Sequence, residues 1–127
     1  MQATFLVFLG AGFGGALRHG VNLGCARIAG TAFPWGTLTV NVVGSLAMGL
    51  IVGWLAFRSD AAWSQPLRLF LTTGILGGFT TFSAFSLDSI LLWERGHMGA
   101  ALAYVGGSVA VSIGALALGL AAMRAFT

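Results

Sequence analysis

Between Gly74 and Ser86 the chain reads Gly-Ile-Leu-Gly-Gly-Phe-Thr-Thr-Phe-Ser-Ala-Phe-Ser, a diglycine followed by clustered hydroxyls and two phenylalanines, Phe82 and Phe85, three residues apart. A helix broken at such a point frees backbone carbonyls, and carbonyls are suitable ligands for a small cation. Two other polar stripes accompany it. Thr37, Asn41 and Ser45 recur at spacings of four, and so do Tyr104, Ser108 and Ser112. At helical periodicity each set shares one face. Such stripes make rails of hydrogen-bond donors for a polar path. The competing reading is structural: Asn41 can bind a neighbouring helix, and a serine can bond the carbonyl one turn back.

The elements that carry these residues are membrane spans. The chain is 57% hydrophobic and 7% charged, with no lysine, which leaves too little charge to cover a soluble domain of 127 residues. Four apolar runs reach or approach the ~20 residues needed to cross a hydrocarbon core. They extend over Ala3 to Leu23, Trp35 to Phe57, Leu67 to Trp93 and Met98 to Met123. The expected fold is an all-α membrane protein, a single domain over residues 1–127 with four transmembrane helices and the third broken near its middle. The first run has no basic residue ahead of its apolar part and is not read as a cleavable signal. The break is expected through Phe79 and Thr80, with the helix resuming by Phe82. Irregular backbone at membrane depth survives only when packed in protein or lining a polar path, which makes this stretch the centre of the functional reading.

Gly10, Gly12 and Gly15 formally match the dinucleotide fingerprint GxGxxG, but neither a preceding strand nor a suitably placed acidic residue supports it. Small residues for close helix packing explain the pattern better, with Gly10 and Gly14 on one face. Ser45, Gly49 and Gly53 extend a similar strip. Arg18 and His19 are expected about a turn from the end of the first helix, Arg18 either snorkelling or lining an aqueous vestibule. Asp88 belongs two turns beyond Thr81, where a carboxylate needs water or a donor, and so also reads as a vestibule residue. Cys25 stands alone and reads as a small buried hydrophobe. Six arginines, scattered singly, form no basic patch, and neither nucleic acid nor a nucleotide is expected as a partner.

With both termini on one side, that side receives Arg58, Arg68 and Arg124, and the other receives Arg18, Arg27 and Arg95. An equal split gives the positive-inside rule no preference. The chain is therefore expected to insert in both orientations, so that two oppositely oriented copies can form an isologous dimer within the lipid bilayer.

These motifs resemble the Fluc/CrcB fluoride channels along nearly the whole chain. The matching pieces are Gly15-Ala16-Leu17-Arg18, Trp35-Gly36-Thr37-Leu38 with Val40-Asn41, the diglycine Gly77-Gly78 through Thr80-Thr81-Phe82-Ser83 and Phe85-Ser86, and Tyr104, Ser108 and Ser112. The resemblance implies a dual-topology antiparallel homodimer with two fluoride pores, each built from both subunits. It also implies a structural sodium ion at the dimer centre, held by the backbone carbonyls of Gly77 and Thr80. The donors along the fluoride path would be Asn41, Thr37, Ser83, Tyr104, Ser108 and Ser112. Phe82 and Phe85 would offer the positive rims of their rings, and Arg18 would attract the anion electrostatically. Three positions depart from the family pattern: Ala84 where threonine is common, Asp88 where glutamate is expected, and Phe79 in place of leucine.

The function implied is passive fluoride export across a bacterial inner membrane, without catalysis. The chain has no phosphate-binding lysine motif, which argues against ATP-driven transport. The alternative is a small dual-topology proton-coupled multidrug exporter, for which Asp88 would be the deep titratable carboxylate.

Overall fold

The computed structural model describes residues 1–126; Thr127, the last residue of the expected domain, lies outside them. The described residues form six α-helical elements: α1 (Gln2–Ala29), α2 (Trp35–Leu55), α3 (Ser64–Arg68), α4 (Gly77–Phe79), α5 (Phe82–Glu94) and α6 (Met98–Ala125). A π-helical stretch, Leu69–Leu76, joins α3 to α4. Three helical stretches are long and apolar enough to cross a membrane: Trp35–Arg58, Ser64–Glu94 and Met98–Ala125. The chain is thus a multi-pass membrane protein. The remaining expected span, α1, is 28 residues long but carries Arg18, His19 and Asn22 among its glycines, and it is not one of those three.

Glycines set how closely the helices approach. A Cβ on Gly10 would lie 2.7 Å from the carbonyl oxygen of Phe70, and one on Gly14 would overlap that of Ile75. Backbone of α1 therefore runs directly against backbone of the π-helical stretch, and Gly78 meets Ala11 in the same way. The packing reading of the α1 glycines holds and the nucleotide-loop reading fails, because Gly10 and Gly14 are buried inside a continuous helix. Gly49 and Gly53 do the same for α2 against α6, where Gly119 answers from the other side. With no aqueous phase to drive apolar surfaces together, such close contacts and internal hydrogen bonds hold spans in lipid.

Two expectations about local structure change. The first helix does not end near Leu23 but continues to Ala29, which puts Arg18 eleven residues, about three turns, before its end. Pro34 and Gly30, with φ of 81°, stop it there and turn the chain into α2. The third span opens one residue later than expected, at Thr80 and Thr81 rather than Phe79 and Thr80, and resumes at Phe82 as expected. Gly77 and Gly78 are helical, as is Phe79, and the backbone becomes extended only at Thr80 (φ −89°, ψ 159°) and Thr81 (φ −153°, ψ 125°). The diglycine's sequence role is steric instead, since Gly78 admits α1. The irregularity also begins earlier than expected. Within the π-helical stretch the Gly77 N–H reaches back to Thr72 and Gly74 carbonyls rather than following the α pattern.

Candidate functional site

The site grows from the two extended residues. Thr81 caps α5: its Oγ1 accepts from the Ala84 N–H at 3.1 Å, satisfying one of the donors that every helix start leaves open. Thr80 turns its Oγ1 back to the Leu76 carbonyl at 2.9 Å, and its N–H also goes to Leu76. Gly44 on α2 makes room for this corner, because a Cβ there would overlap Thr80 Cγ2 and come within 3.3 Å of the Phe79 ring.

Asn41 then closes the gap. Its Oδ1 accepts from the Thr81 N–H at 2.9 Å, and its Nδ2 donates to the Thr81 carbonyl at 3.1 Å. Both main-chain polar groups of one residue are thus held by a single carboxamide from α2. This is a role that spacing alone did not assign to Asn41. Sequence reasoning left Asn41 open between bonding a neighbouring helix and lining a polar path; the structure gives it the break as its bonded partner and also puts it on the wall of the adjacent cavity.

That cavity, about 300 Å³, is lined by Asn41, Thr80, Phe82, Phe85, Ser108 and Ser112 among others. Phe82 and Phe85 have ring centroids 5.7 Å apart, and Phe85 lies 5.2 Å from the Tyr104 ring. The Phe82 side chain is 78% exposed on the single chain, so its ring projects away from the protomer. Ser108 and Ser112 present buried hydroxyl oxygens with no hydrogen-bond partner. The contrast with the other hydroxyls is informative. Thr72, Thr80, Ser86 and Ser89 each bond the carbonyl one turn back, at 2.7 to 2.9 Å. The helix therefore offers Ser108 and Ser112 an ordinary way to hide, and neither takes it.

A second cavity of about 320 Å³ is lined by Thr37, Asp88, Asn22 and Arg95 among others. Tyr104, 1% exposed, joins the two regions: its ring packs on Phe85, and its hydroxyl donates to Asp88 Oδ2 at 3.2 Å. The stripe Thr37, Asn41, Ser45 thus serves both cavities, with Thr37 at one and the other two at the next. Some expected site residues are elsewhere. Ser83 is exposed and touches Thr81 Oγ1 at 3.3 Å, outside the lining of either cavity. Arg18 is half-buried on α1 and lines neither. Asn22 and Arg95 were missed as site residues; Arg95 sits four residues beyond Leu91 on the Asp88 face of α5, a periodicity that marks it in retrospect. Cys25 sits 3.9 Å from Thr39 Oγ1 and is half-buried between helices, as a small apolar side chain would be.

Fit to a small cation can be judged from the carbonyls. In an uninterrupted helix the Thr81 N–H would bond Gly77 O, but Asn41 has taken that donor. Thr80 precedes the cap of α5, so its carbonyl lies outside that helix's ladder. Gly77 is exposed on the single chain. Two freed carbonyl oxygens without a carboxylate suit a hard monovalent ion. Among the described residues no His, Cys, Asp and Glu cluster offers a competing metal site.

A largely apolar cavity that carries the polar groups of Asn41, Ser108 and Ser112, an interrupted helix and two aromatic rings within a multi-pass bundle define a membrane protein with a candidate small-solute path. Residues 5–120 match the model of the family described as CrcB-like protein, Camphor Resistance (CrcB). A protein of Methylobacterium nodulans (strain LMG 21967 / CNCM I-2342 / ORS 2060) named fluoride-specific ion channel FluC is 59% identical over 126 residues, 99% of each chain. One of Nitrobacter hamburgensis (strain DSM 10229 / NCIMB 13809 / X14), named fluoride-specific ion channel FluC 2, is 57% identical over 122 residues, 96% of this chain and 97% of its own. The fluoride-specific ion channel FluC of Beijerinckia indica subsp. indica (strain ATCC 9039 / DSM 1715 / NCIMB 8712) is 53% identical over 127 residues, the full length of both. The chain belongs to the CrcB-like family.

The Asn41 clamp has a measurable consequence. Asn41→Leu deletes both bonds and leaves the Thr81 peptide groups bare. At about 1 kcal/mol per bond, plus the desolvation cost of the stranded groups, the loss should exceed about 2 kcal/mol. Thermal unfolding in detergent should show a clearly lower midpoint; an unchanged midpoint would mean that the break holds itself.

Proposed function

We propose that this chain is a fluoride-specific ion channel that lets fluoride leave the cell passively. The observation that carries the reading is the pair of buried, unpartnered hydroxyls of Ser108 and Ser112 facing a cavity walled by Asn41 and the Phe82 and Phe85 rings. A buried hydroxyl left without a partner costs about 1–3 kcal/mol. Its retention twice along one face makes sense if a passing solute supplies the partner. Fluoride holds its water strongly, so a path must replace that water with donors. Hydroxyl protons from Ser108, Ser112, Tyr104 and Thr37, the remaining N–H of Asn41 and the rims of two phenyl rings are such donors. HF crosses lipid as a neutral molecule and dissociates inside the cell. A negative-inside potential then drives the anion out through an open path in the bacterial inner membrane, relieving fluoride toxicity.

In this reading α1 also crosses the bilayer, giving four spans, and the working unit is an antiparallel homodimer. Phe82 supports the second copy, since its ring leaves the protomer at the edge of the path and needs a facing wall. A structural sodium ion would sit where the two breaks meet, bound by Gly77 and Thr80 carbonyls of each copy and holding the copies together. Asn41 prepares that site by removing the donor that would otherwise occupy Gly77 O.

Four experiments test the reading. Proteoliposomes should release fluoride rapidly without a proton gradient and exclude chloride; drug-driven proton movement in place of fluoride release would mark an exporter instead. In the same assay, Ser108→Ala with Ser112→Ala should slow release by about tenfold or more without lowering the unfolding midpoint, because neither hydroxyl has a protein partner to lose. A C-terminal topology reporter should give signal on both sides of the membrane, and one-sided signal would refute the antiparallel dimer. Exchange of sodium for a large organic cation should lower the dimer's unfolding midpoint, whereas indifference to sodium would remove the ion from the assembly.

A further inference from the structure

The second cavity presents an electrostatic problem for an anion path. Asp88 lines it, half-buried, and its carboxylate is not neutralised by the Tyr104 hydroxyl that donates to it. A fixed negative charge there repels the anion proposed to pass. Arg95, the exposed residue that caps the carboxyl end of α5, lines the same cavity. Seven residues separate the two, which at 100° per residue returns Arg95 to the Asp88 face. At ~1.5 Å rise per residue it lies about 10 Å further along, at the carboxyl end of α5. Ala84, Asp88, Leu91 and Arg95 thus form one stripe of α5 along the cavity wall, with Asn22 of α1 and Thr37 of α2 contributing neutral polar groups to it.

We propose that Arg95 is a rate-determining residue of the fluoride path, its guanidinium offsetting Asp88 and drawing the anion into the cavity that leads to Tyr104. The proposal rests on the fluoride-channel reading and adds to it a residue that sequence spacing did not select. Arg18 lines neither cavity of the single chain. Across ~10 Å in a medium between protein and water, one unit charge changes the local anion concentration by about tenfold. A guanidinium at a helix carboxyl end also interacts favourably with the helix dipole, so a purely structural role must be separable by experiment.

The measurement is the initial rate of fluoride release from proteoliposomes at two ionic strengths. At about 0.01 M salt, where screening reaches ~30 Å, Arg95→Gln should slow release by about tenfold; at about 1 M, where it reaches ~3 Å, the variant and the parent protein should converge. Arg95→Lys should retain most of the rate. Asp88→Asn added to Arg95→Gln should restore it, because the carboxylate to be offset is gone. If the parent protein conducts and Arg95→Gln matches it at low salt, the proposal is wrong. A slowing that is equal at both salt concentrations, or that neither lysine nor Asp88→Asn relieves, would assign Arg95 a structural role and equally overturn it. Absence of fluoride release by the parent protein would remove the channel reading itself, and this inference with it.

Discussion

The two bonds between the Asn41 carboxamide and the main chain of Thr81 are the interaction on which the rest of this structure depends. In hydrocarbon a bare peptide N–H or C=O costs several kcal/mol, so a span cannot open unless something else completes its hydrogen bonds. A primary amide is suited to the task because it carries one acceptor and two donors on one planar group. With Thr81 held this way, α5 restarts from a capped residue, and the carbonyls before the gap become available. The same clamp places Asn41 at the wall of the cavity that Phe82, Phe85, Ser108 and Ser112 share.

Glycine has a complementary part. The corner at Thr80 and Thr81 fits because Gly44 lacks a Cβ, and the π-helical stretch before it fits because Gly10 and Gly14 do. Close backbone contact on both sides holds the irregular segment in place. Thr72, Thr80, Ser86 and Ser89, between α3 and the end of α5, bond the carbonyl a turn behind. Ser108 and Ser112 of α6 do not. The helices thus differ in whether their hydroxyls are satisfied within the chain.

Read in this light, the departures from the family pattern fall into place to different degrees. Phe79 packs against Gly44 and is part of the corner. Asp88, with its shorter reach, is met by Tyr104 at 3.2 Å, so the carboxylate is anchored beside the aromatic group that joins the two cavities. Ala84 donates its N–H to the cap of α5 and lines the second cavity with a methyl group.

Much of this was legible in the chain itself. Composition and the length of the apolar runs determine that the protein lives in a bilayer, because so little charge cannot solvate a domain of this size. Spacings of four place Thr37, Asn41 and Ser45, and then Tyr104, Ser108 and Ser112, on common faces, since helical periodicity is a local property. What those faces meet is not local. The bond from Asn41 spans forty residues, and no pattern in α2 reveals that its partner is a peptide group rather than a solute. Nor does spacing show that Phe79 stays helical while Thr81 opens, or that α1 runs on past Leu23 to Ala29; these follow from which backbones touch. Local sequence sets which groups can bond, whereas only the packing of distant helices settles which of them are left over for something that passes through.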